Sequence, residues 1–137
     1  MGLILGFGSS HDGYYGEAGA DYGYFVVPRV APGIEAMIQG GKGLLTTGMV
    51  MPNVHLVPFR EGSFALLLSG RAGRVLVADH ADGWGAGAGI GAAVFQTAHL
   101  GFQIGYQYLQ LYPRSFCADI VDGCAIHGLS LGFIAGF

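Results

Sequence analysis

Few side chains in this sequence can do chemistry, and their spacing limits what that chemistry is. Nine acidic and six basic residues serve 137 positions. Read at period two, Glu17, Asp21, Glu35, Gln39, Arg71, Gln103 and Gln107 fall opposite the apolar rows of their segments. Buried charges have to be paired or hydrogen-bonded, so Arg71 is expected to pair with one or more of Glu17, Glu35 and Asp21. Catalysis asks for a nucleophile, a base and an orienting acid within hydrogen-bond reach. His127 and Ser130 are the tempting pair, but a separation of three puts them on opposite faces of a strand. No catalytic residue is therefore assigned.

His11, Asp12, Asp79, His80 and Asp82 have side chains that suit zinc or a harder cation. They come from separate loops, where solvated polarity is the plainer expectation, so no metal or other cofactor is assigned. The Gly-x-Gly run from Gly83 to Gly91 lacks the following helix and lysine of a phosphate loop. One lysine, Lys42, and a net charge of −3 leave no basic stripe for nucleic acid.

The elements that must position these groups are strands. No run approaches the roughly 18 apolar residues of a membrane-spanning helix. Charged residues make up 11% of the chain and hydrophobic ones 52%, where a soluble domain carries about a quarter charged. The apolar residues alternate with small or polar ones among 26 glycines. Eight strands are expected: Gly2 to Ser9, Tyr14 to Val26, Ile34 to Gly40, Leu44 to Phe59, Phe64 to Ala78, then segments opening at Gly83, at Leu100 and after Cys124. Val27 to Gly33 reads as a proline-set turn. Pro52 cannot donate to a ladder and implies a bulge or break in the fourth strand. Arg74 falls on the apolar side, facing lipid headgroups unless a bulge turns it inward.

Strand eight closes on Ser130, Gly132, Ala135 and a terminal Phe137, with Leu129, Leu131 and Phe133 on one face. This ending resembles the C-terminal assembly signal of bacterial outer-membrane β-barrels in their small eight-stranded form, the OmpA and OmpX type. The resemblance implies an all-β fold over residues 1–137: one closed, antiparallel, up-and-down transmembrane barrel. It also implies a monomer in the bacterial outer membrane, with membrane lipids as partners and the barrel-assembly machinery reading the last strand.

Apolar residues would face out and polar ones in, at roughly ten residues per crossing. Eight strands leave an interior that side chains can fill, so the polar groups would plug the barrel and its role would be structural or surface interaction, without enzymatic activity. Two other uses stay open: a barrel admitting a small hydrophobic ligand past Met49, Met51 and Phe59, and a lipid-modifying enzyme with His127 and Ser130 near the rim. Cys117 and Cys124 would form a local disulfide in an exported protein and free thiols in a cytosolic one. The start, Met1 to Phe7, has neither the basic segment nor the cleavage site of a signal peptide.

Overall fold

Alternating apolar and small or polar side chains favour extended chain, and eight such segments pair edge to edge until the sheet closes. The computed structural model describes residues 2–10, 13–42, 44–77, 82–97, 100–117 and 124–135. Its strands are β1 (Gly2–Ser10), β2 (Gly13–Gly23), β3 (Val30–Gly41), β4 (Leu44–Glu61), β5 (Phe64–Val77), β6 (Gly83–Phe95), β7 (Leu100–Tyr112) and β8 (Ala125–Ala135). Each pairs antiparallel with its sequence neighbours, and β1 pairs with β8, so the barrel is closed and up-and-down. Closure gives every wall strand a partner on both sides. A short helix, α1 (Arg114–Cys117), follows β7.

The register sorts side chains as the period-two reading requires. Leu131, Phe133, Ile104 and Phe102 point outward, each more than a third exposed, whereas Glu35 is 5% exposed. Glycines on the inner face make room for large neighbours. A Cβ on Gly6 would collide with the Glu17 carboxylate, and one on Gly85 would lie 3.0 Å from Met51 Cε. Toward the end that holds α1 the interior is apolar, with Tyr15, Met37, Met49, Met51, Val75, Leu109, Leu111 and Ile126 packed under Cys117. Cys117 and Cys124 form a disulfide with a Cα–Cα distance of 5.1 Å.

Two expectations about elements need correction, and one open alternative is decided. β3 begins at Val30, not Ile34, because the turn before it is only Pro28-Arg29, closed by Val30 N–H donating to Val27 O at 3.1 Å. Pro52 neither bulges nor breaks β4; it pairs with Ile34 in an unshifted register. The irregularities fall elsewhere: in the pairing of β4 with β5 between Leu56 and Phe59, where Pro58 sits, and in its pairing with β3 between Gln39 and Gly41. Arg74 stays outward, in register with Val50 and Trp84, with no bulge to turn it.

Candidate functional site in the barrel interior

The seven polar residues expected inside all project from inner-face positions. Glu17 and Asp21 come from β2, Glu35 and Gln39 from β3, Arg71 from β5, and Gln103 and Gln107 from β7. Five of them form one chain of contacts across the lumen. Gln39 Nε2 donates to Glu17 Oε2 at 2.8 Å, and Gln107 Nε2 donates to Glu17 Oε1. Arg71 Nη2 donates to Gln107 Oε1 at 2.5 Å. Its Nη1 forms an ion pair with Glu35, both side chains 6% exposed.

Of the three carboxylates considered for Arg71, the direct partner is Glu35. Glu17 is reached through Gln107, and Asp21 belongs to a second group. There Asn53 Nδ2 donates to Asp21 Oδ2, and His55 Nε2 lies 3.1 Å from the same oxygen. Asn53 and His55 are absent from the sequence-derived set. The signal that finds them is the parity of Met49 and Met51, carried on through Pro52. Each carboxylate thus has a donor, as low-dielectric burial demands. Gln103 faces inward without joining either group; its side chain lies over Gly132, where a Cβ would meet Nε2 at 2.5 Å.

A cavity of about 60 Å³ adjoins the network, lined in part by His55, Ser69, Arg71, Gln103 and Ser130. Asp21 and His55 supply an acid and a base, and Ser69 is the cross-strand partner of His55. The Ser69 hydroxyl is turned away, lying 2.7 Å from where a Gly89 Cβ would be. Among the described residues, this base therefore has no hydrogen-bonded nucleophile. His127 and Ser130 are likewise separated: the His127 ring packs outside against Tyr106 at 6.0 Å between centroids, while Ser130 lines the cavity.

The hydrophobic-ligand set also divides. Met49 and Met51 are buried in the packed apolar cluster, whereas Phe59 is exposed and stacks near Phe64 outside. At the loop end Asp82 pairs with Arg74 at 3.1 Å. The other residues of the metal-type set, His11, Asp12, Asp79 and His80, lie outside the described residues, as does Phe137. Of the terminal motif, Ser130 and Gly132 face inward and Ala135 ends β8. Comparison with protein families, with curated proteins and with solved structures finds no match.

Proposed function

We propose that this chain is a small integral β-barrel of a bacterial outer membrane, of the OmpA and OmpX type, with a structural or surface-interaction role and no enzymatic activity. The observation that carries the reading is the outer face. The described strands present mostly Leu, Ile, Val, Ala and aromatic side chains outward, with Gln110 and His127 as polar neighbours of Tyr108 and Tyr106 and Arg74, paired with Asp82, as the formal charge toward the loop side. Many outward aromatics lie toward the ends, Tyr14, Trp84 and Tyr112 on the loop side and Tyr22, Phe59, Phe64, Phe102 and Phe133 on the other, with Phe7, Tyr106 and Tyr108 between them.

Apolar bands flanked by aromatic girdles are the pattern that a bilayer selects. Strand length fits too. An 11-residue strand such as β2, at about 3.3 Å per residue and tilted by about 45°, climbs about 26 Å. A soluble lipocalin-like barrel sorts the other way, apolar inside and polar outside. The interior chain from Gln39 to Glu35 and the apolar cluster beyond it act as a plug, because eight strands leave little lumen. The protein acts as a monomer, inserts through recognition of its last strand by the assembly machinery, and has membrane lipid as its main partner.

The test is folding into detergent or phosphatidylcholine bilayers followed by unheated gel electrophoresis. A folded barrel migrates differently from the boiled chain and needs amphiphile to stay in solution. A monodisperse folded protein in plain buffer would overturn the membrane assignment.

A further inference from the structure

Two hairpin turns at the end holding the chain termini set arginines among exposed apolar side chains. Arg29 has φ 76°, a left-handed conformation that disfavours any residue with a Cβ. Pro28 precedes it, and the pair forms the centre of a type II turn, where glycine is the usual second residue. A non-glycine residue kept under strain points from structure to a role. The Arg29 carbonyl accepts from Val57 N–H at 2.9 Å, and its Nη1 donates to Pro58 O at 3.5 Å. The side chain therefore reaches back onto β4; Arg60, two residues on from Pro58, pairs with buried Ala65 on the inner side of the wall and lies over Phe95 at 5.0 Å from the ring centroid.

Tyr24, Phe25, Val26 and Val27, leading into the first turn, and Phe59, leading into the second, are all more than 45% exposed. The nearby acid in these two turns is Glu61. Such a surface is poorly suited to bulk water. Nor does it fit in hydrocarbon, where the unpaired backbone of a turn finds no partner. The headgroup layer satisfies both conditions: aromatic rings settle there, and a guanidinium matches a phosphate in charge and geometry.

We propose that the β2–β3 and β4–β5 turns form a site for the phosphate of an anionic membrane phospholipid, with Arg29 making the contact and Arg60 strengthening the local field. The site rests on the membrane reading above. Arg29 stands where glycine would relax the backbone because the charge is needed.

The experiment folds the protein into phosphatidylcholine bilayers with and without phosphatidylglycerol, then reads retained lipid by native mass spectrometry. Wild-type protein retains phosphatidylglycerol in preference to phosphatidylcholine. Arg29→Gly keeps or raises the unfolding midpoint yet cuts that retention about fivefold. Arg29→Gln, which leaves the turn's demand for φ > 0 unrelieved, cuts it equally, and Arg29→Lys keeps most of it. Equal retention of both lipids by wild type, or unchanged retention in Arg29→Gln, overturns the site. Failure to fold into phosphatidylcholine at all overturns the membrane reading with it; folding without lipid preference removes the site alone.

Discussion

Arg71 ties the interior together because it is the lone guanidinium among carboxylates and amides from other strands. It holds Glu35 directly and, through Gln107, orients the donor that reaches Glu17. Arg71→Leu leaves Glu35 buried without its cation, an imbalance that costs about 3–5 kcal/mol. The expected outcome is a lowered urea midpoint for unfolding from lipid. Adding Glu35→Gln should recover part of the loss, because the second change removes the orphaned charge. Gly6 is the complementary case. The Glu17 carboxylate occupies the space a side chain would need, so Gly6→Val should prevent folding to the heat-modifiable form, whereas Gly48→Ala, with open space around it, should fold normally.

At the scale of elements, β4 shows where a sequence is legible and where it is not. Period-two alternation suffices for β1 and β5 to β8, since a one-residue error would carry a whole apolar row inward. It also finds the seven inward polar residues on β2, β3, β5 and β7. β4 carries two prolines, and only the backbone distinguishes them. Pro52 sits in register opposite Ile34, while Pro58 lies in the irregular stretch between Leu56 and Phe59. That shift reverses parity: Val57 is buried, but Phe59 points out.

The same uncertainty hid Asn53 and His55, which share the inward parity of Met51. The interior pairing was legible only as a set of candidates, because contacts across a lumen depend on which strands face each other after closure. Pro52→Thr should restore a donor and cost no more than about 0.5 kcal/mol, the range of ordinary surface changes. The disulfide joins positions seven apart in sequence, with Cys117 packed in the apolar cluster. Replacing Cys117 and Cys124 together with alanine should cost about 2 kcal/mol by the loop-entropy account, read as a shift in unfolding midpoint under non-reducing conditions.

For the whole molecule, the decisive property is which way the sheet is turned. Apolar side chains outside and paired polar groups inside reverse the sorting of a soluble barrel, and one strand carries both kinds of face. On β7, Ile104 points out and Gln103 points in. Ile104→Arg should therefore destabilise the bilayer-embedded protein by about 2–4 kcal/mol if the site lies near the midplane. The most direct measurement places a nitroxide label on cysteine at Ile104, and separately at Leu131, in protein folded into lipid vesicles. Collisions with dissolved oxygen should dominate over collisions with a polar, water-soluble paramagnetic reagent at both positions. Dominance of the water-soluble reagent at both would contradict a lipid-facing exterior.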